Sequence, residues 1–266
     1  MPENKGAEGA SIPLLSIAHL NLRIGMHTVL KDLSVDVERG RIVSVVGESG
    51  CGKSTLLHAI IGFLPDGGII DSGVISFCGT DLRTASERVR ADLMGRDIAF
   101  LFQEPGSYLN PIRRIGAQFA DYMKAHGSGS GWKAAAIAAL SRENLDAPEK
   151  LLEAYPFQLS GGMRQRVATA MALALVPKLL LVDEPTSALD VIASRSLLDR
   201  LRHMSQDIGC SIVFVTHNID AAAYVADKIC IMQGGTFVEH GVTEEILRRP
   251  SHPYTRMLLR AVPHLI

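Results

Sequence analysis

The chain has 266 residues, 47% hydrophobic and 21% charged, a globular composition that argues against disorder and allows one core, alone or with an accessory domain. Lysine plus arginine (27) nearly cancels aspartate plus glutamate (28), so no global field draws the chain toward nucleic acid or an anionic membrane. Cys51, Cys78, Cys210 and Cys230 show neither metal-site spacing nor the density of a secreted disulfide scaffold, which fits a reducing cytoplasm.

The first dozen residues are acidic and polar and read as a flexible tail without a leader. Residues 14–20 and 33–37 alternate apolar and polar side chains as half-exposed strands do, and Glu38, Arg39 and Gly40 read as a turn, so an antiparallel sheet is expected there. Residues 41–46 form a β-branched apolar run of buried-strand character, followed by a glycine-rich loop and a helix predicted over 54–61. Residues 104–159 read as a helix-rich interval holding a flexible loop at 127–131. Further buried strands are predicted at 179–182 and 211–215, each after a helical stretch. That is the βαβ rhythm of a parallel sheet, and the fold class is α/β. The longest apolar stretch, residues 167–182, is broken by Pro177 and Lys178, whereas a membrane-spanning helix needs about 20 apolar residues in a row.

The loop after the first buried strand, Gly47, Glu48, Ser49, Gly50, Cys51, Gly52, Lys53, Ser54 and Thr55, matches GxxxxGK[ST], the P-loop or Walker A pattern. Glycines let the backbone wrap tightly enough for several N–H groups to converge on phosphate oxygens, and the following helix adds its positive end. Lys53 is expected to reach the β- and γ-phosphates of ATP, and the Ser54 hydroxyl to ligate Mg²⁺. Cys51 reads as a small side chain that fits the loop. Residues 179–185 form an apolar strand ending in Asp183 and Glu184, as in a Walker B motif. Beside a P-loop, Asp183 could hold Mg²⁺ through its water shell and Glu184 could polarise an attacking water. Alone, the pair is equally a solvated strand end.

Leu159, Ser160, Gly161, Gly162, Met163, Arg164, Gln165 and Arg166 make the chain resemble the ATP-binding cassette (ABC) ATPases, whose signature motif reads this way. Ser160, Gly161 and Gly162 lead into a helix with Met163, Val167, Met171 and Leu175 at every fourth position, and such a start suits a γ-phosphate as well as an ordinary N-cap. The resemblance extends over about residues 11–263. It implies a RecA-like parallel-sheet core, an antiparallel β subdomain, a helical subdomain inserted at about 104–160 and a C-terminal extension at about 241–266. It also implies a Q-loop at Gln103, sensing Mg²⁺ and water, a D-loop ending at Asp190, and an H-loop histidine at His217. Family members usually stack adenine on an aromatic that counting places near Ile24, where this chain has none.

By the same resemblance, ATP is sandwiched between two cassettes, each site taking its P-loop from one chain and its signature from a second copy or a paralogue. Two membrane permease subunits would be driven through a coupling surface near residues 107–114, on the cytoplasmic face of the membrane, with a substrate-binding protein upstream. Residues 155–166, 109–111 and 249–263 are similar to the oligopeptide, dipeptide and nickel permease ATPases. Some of these relatives carry an iron–sulfur cysteine cluster, and with no cysteine after Cys230 none is expected here. An exporter ATPase is the nearest rival. A soluble cassette of translation or DNA repair is disfavoured by the single motif set, the short Walker A to signature interval and the lack of a basic stripe, and a degenerate regulatory module by the complete set of catalytic residues.

Overall fold

A computed structural model describes residues 12–102, 105–187 and 190–261. Gln103, the residues between Ser187 and Asp190, and most of the expected N-terminal tail lie outside the described residues.

The chain opens with β1 (Leu15–Ile24) and β2 (His27–Val37), followed by the fully buried β3 (Ile42–Val46) and α1 (Lys53–Ile61). Next come β4 (Gly68–Phe77), β5 (Thr80–Asp81), α2 (Glu87–Leu93) and β6 (Ile98–Leu101). The expected helical interval holds α3 (Ile115–Ala125), α4 (Trp132–Arg142) and α5 (Pro148–Glu153), with short 3₁₀ turns at Pro105–Tyr108 and Pro156–Gln158. Then follow α6 (Gly161–Ala172), β7 (Leu179–Asp183), α7 (Val191–Ile208), β8 (Ser211–Thr216) and α8 (Ile219–Val225). The chain ends through β9 (Lys228–Gln233), β10 (Thr236–Val242), α9 (Thr243–Arg248) and α10 (Pro253–Ala261).

Two sheets form. The antiparallel one has the order β2-β1-β4-β5, and in β1 Leu15 and Ile17, then Leu20 and Leu22, are buried, the alternation slipping by one residue at an irregularity where His19 stands at φ 51°. The other has the order β10-β9-β3-β8-β7-β6, parallel except for the β9–β10 hairpin. The three strands that precede the motifs, β3, β8 and β7, are adjacent, so their carboxyl ends open onto one crevice, where α/β sheets bind ligands.

A separate apolar cluster is built from α3, α4, α5 and α6, with Ile115, Phe119, Leu140, Leu152, Val167 and Ala170 at its centre. The helical packing therefore runs past the signature turn, through the whole of α6. That helix stops at Ala172, earlier than the four-residue stripe predicts. Pro177 disfavours the helical conformation at Val176, which stands at φ 52°, and Leu175 packs on the same cluster from the turn instead of from the helix.

Glu143, buried at the end of α4, joins this helical layer to the core. Its carboxylate lies 3.1 Å from Arg200 of α7, out of hydrogen-bond alignment, while Arg166 of α6 donates to the neighbouring Asn144 carbonyl at 3.1 Å. Burial pushes the Glu143 carboxyl up, and Arg200 and Arg166 oppose that shift. Among the described residues, no helix is long and apolar enough to cross a membrane.

Candidate functional site: a phosphate cradle at the sheet's carboxyl edge

β3 delivers the chain to Gly47, whose amide donates to the Thr216 carbonyl at the end of β8 (3.4 Å). Gly47 has no room for a side chain: an added Cβ would sit 2.2 Å from the Met232 carbonyl oxygen and 2.8 Å from Cys51 Sγ. Gly52, at φ 110°, turns the loop into α1 in a backbone conformation that glycine alone adopts without strain. The loop therefore wraps back on itself and aims the amino end of α1 into the crevice.

Lys53 is the first residue of α1 and is 4% exposed. A buried ammonium needs partners. It donates to the carbonyls of Gly47 and Glu48, both at 2.9 Å, and lies 3.6 Å from Glu184 Oε1. Ser54 Oγ donates to Asp183 Oδ1 at 3.0 Å. Burial raises the Asp183 carboxyl, and the Ser54 hydrogen bond and the nearby Lys53 charge pull it back. A hydroxyl and a carboxylate that already touch are hard oxygen donors of the kind Mg²⁺ takes alongside water.

Glu184 follows β7 directly and stands at φ 40°, a left-handed conformation that costs an ordinary residue about 1–3 kcal/mol. Its amide donates to the Val215 carbonyl, and its own carbonyl accepts from the Ser187 hydroxyl. This turn holds the carboxylate between two partners: Oε1 faces Lys53, and Oε2 lies 3.0 Å from His217 Nδ1. His217 is placed by the end of β8 and by Asn218, which caps α8 through the amides of Asp220 and Ala221.

Ser49, Gly50, Gly52, Lys53, Ser54, Thr55, Asp183 and Glu184 line a polar cleft of about 360 Å³. A cavity of about 420 Å³ lies elsewhere, between α4 and α7, and is mainly apolar. Of the expected site residues, Gly47, Ser49, Gly50, Cys51, Gly52, Lys53, Ser54, Thr55, Asp183, Glu184 and His217 come together here. Ser160, Gly161 and Gly162 do not line this cleft. They are exposed at the start of α6, where Ser160 Oγ accepts from the Met163 amide, and a Cβ on Gly162 would meet nothing within 4 Å. Asp190 caps α7, accepting from the Ala193 amide at 2.8 Å. Gln103 is not described.

Two contributors to the loop carry no local signal in the sequence. The Met232 carbonyl of β9 backs Gly47, and the hydroxyl of Tyr254, from α10, accepts from the Glu48 amide at 3.0 Å across 206 residues.

Burial also decides thiol chemistry. Cys51 is 6% exposed and burial pushes its thiol up, with Lys53 opposing, whereas Cys78 is exposed. A bulky maleimide is expected to label Cys78 at least about 10-fold faster than Cys51, Cys210 or Cys230, as peptide mass mapping would report. Equal labelling of Cys51 would mean that the loop opens readily.

The family profile described as ABC transporter matches residues 30–187, and that described as oligopeptide/dipeptide transporter, C-terminal region, matches residues 238–265. The chain is 39% identical to the dipeptide transport ATP-binding protein DppD of Escherichia coli K12, covering 94% of this chain and 78% of that protein. It is 38% identical to the oligopeptide transport ATP-binding protein OppD of Bacillus subtilis, covering 89% and 67%. With the peptidoglycan transport ATP-binding protein YejF of Agrobacterium fabrum it shares 41% identity over 94% of its own length, and spans only 47% of that relative. Its fold is similar to the ATP-binding cassette MJ0796, solved as a dimer in a post-hydrolysis state bound to ADP and Pi, with a TM-score of 0.73, 26% identity, and coverage of 86% of this chain and 98% of that one. With a P-loop, a strand-end carboxylate pair and a signature turn on an α/β cassette fold, this chain belongs to the ABC transporter family.

Proposed function

We propose that this chain is the ATP-hydrolysing subunit of an ABC importer for peptides or a related small solute, acting at the cytoplasmic face of the membrane. The observation that carries the reading is the cleft in which Lys53, Ser54, Asp183, Glu184 and His217 converge. Lys53, positioned by the Gly47 and Glu48 carbonyls, and the loop amides would hold the β- and γ-phosphates, which would take over the place that the Glu184 carboxylate now fills beside the lysine. Ser54 and Asp183, with Gln103, would hold Mg²⁺, which when bound neutralises phosphate charge. Glu184 would accept a proton from the attacking water, and His217 would keep that carboxylate turned toward it.

One chain supplies only part of such a site. The exposed Ser160–Gly162 turn and Asp190 would complete the cleft of a second cassette, a copy or a paralogue, in a head-to-tail pair that drives two permease subunits fed by a substrate-binding protein. The peptide assignment is supported by the match of residues 238–265 and by the names of the relatives.

The test is magnesium-dependent phosphate release by the purified chain, alone and with its partner cassette, followed by uptake of labelled dipeptide into vesicles carrying the assembled transporter. Hydrolysis is expected to rise on pairing, and uptake to require ATP inside. Absence of MgATP binding would overturn the ATPase reading; ATP-driven extrusion would overturn import.

A further inference from the structure

The C-terminal region folds back onto the phosphate cradle. Glu239 of β10 receives three donors from one turn: the Ser251 amide at 2.6 Å and hydroxyl at 2.8 Å on Oε1, and the His252 amide at 3.0 Å on Oε2. Partial burial pushes this carboxyl up, but the nearby Thr255 hydroxyl and the donors of Ser251 and His252 outweigh it and hold it at about 2. The clasp is thus ionised at any physiological pH. Arg256 closes the turn from the other side, donating to the carbonyls of Pro250 and Ser251 at 3.1 and 3.0 Å.

The turn leads into α10, whose second residue is Tyr254. Its ring is buried among Val46, Ile219, Ile229, Ile231 and Ile246. The hydroxyl emerges at the P-loop and accepts from the Glu48 amide at 3.0 Å. That N–H belongs to the same peptide unit as the Gly47 carbonyl, which accepts from Lys53 Nζ at 2.9 Å. The peptide unit is planar and trans, so its N–H and C=O point in opposite directions. Fixing one end fixes the other: a peptide that swings away from Tyr254 swings its carbonyl off Lys53.

We propose that Tyr254 is a positioning residue for the phosphate-binding loop, seated by the Glu239 clasp, so that the C-terminal region sets nucleotide affinity through the Gly47–Glu48 peptide. The proposal rests on the reading of that loop as a nucleotide site.

Tyr254→Phe keeps the ring and its packing and removes only the acceptor. Calorimetric titration of the purified chain with MgATP is expected to show Kd raised about 3- to 10-fold, the worth of one neutral hydrogen bond. In protein labelled with ¹⁵N at glutamate, the Glu48 amide proton, assigned by its absence in Glu48→Gln, is expected to move upfield and to exchange faster while the melting temperature stays close to native. Glu239→Gln, away from the loop, is expected to shift the same resonance and raise Kd in the same direction, and it carries the test alone if Tyr254→Phe does not fold. Native protein that binds MgATP with both variants matching its Kd and Glu48 resonance overturns the proposal and spares the nucleotide reading. Native protein that binds no MgATP sinks that reading itself.

Discussion

Glu184→Gln is expected to bind MgATP at least as tightly as the native chain and to hydrolyse it about 10²- to 10⁴-fold more slowly, the usual worth of a positioned general base. Glutamine has the same shape, so its carbonyl oxygen can face Lys53 and its amide can face His217 Nδ1, keeping both contacts that the carboxylate makes. What disappears is the negative charge and the capacity to take a proton. Losing a negative charge 3.6 Å from Lys53 also removes a competitor for incoming phosphate, which sets the direction of the affinity change. Steady-state phosphate release with the partner cassette and equilibrium MgATP binding measure the two effects separately. Turnover within 10-fold of native would remove Glu184 from water activation, and lost binding would make it part of the phosphate cradle.

Gly47→Ala is expected to weaken MgATP binding by about 100-fold or more, since two charged hydrogen bonds from Lys53 would be disturbed together. The new Cβ would lie 2.2 Å from a main-chain carbonyl, a distance no relaxed structure accepts, and Met232 belongs to β9, which pairs with β3 at Val46↔Ile231. A flexible side chain could yield; a strand cannot without losing its ladder, so the loop must move. Gly50→Ala is the informative control. Gly50 stands at φ 81° with nothing within 4 Å of an added Cβ, so that variant bears backbone strain of about 1 kcal/mol but no clash. Equal affinities of the two variants would mean that close packing against β9 does not shape the cradle.

The motifs were legible because each is a local event. A buried β-branched strand, a glycine-rich turn and a helix start need only neighbouring residues to recognise them, and the carboxylates at the end of β7 follow directly from an apolar run. The signature helix was legible in its start but not in its end, because the four-residue stripe continues past the point where Val176 and Pro177 stop the backbone. An antiparallel sheet was legible from alternation over residues 14–20 and 33–37, whereas the β1–β2 turn at Gly25 and Met26 and the strands β4, β9 and β10 were not among the expected elements.

Chemistry and class are thus written in short runs of residues: a phosphate loop, an acid pair, a cassette signature. Convergence is not. Ser54 meets Asp183 across 129 positions, Glu184 meets His217 across 33, and Tyr254 meets Glu48 across 206. These meetings follow from the strand order β10-β9-β3-β8-β7-β6, in which β3 lies between the late strands β9 and β8. Side-chain spacing encodes which face of a strand is buried, but the choice of neighbouring strand emerges only when all the faces are buried at once.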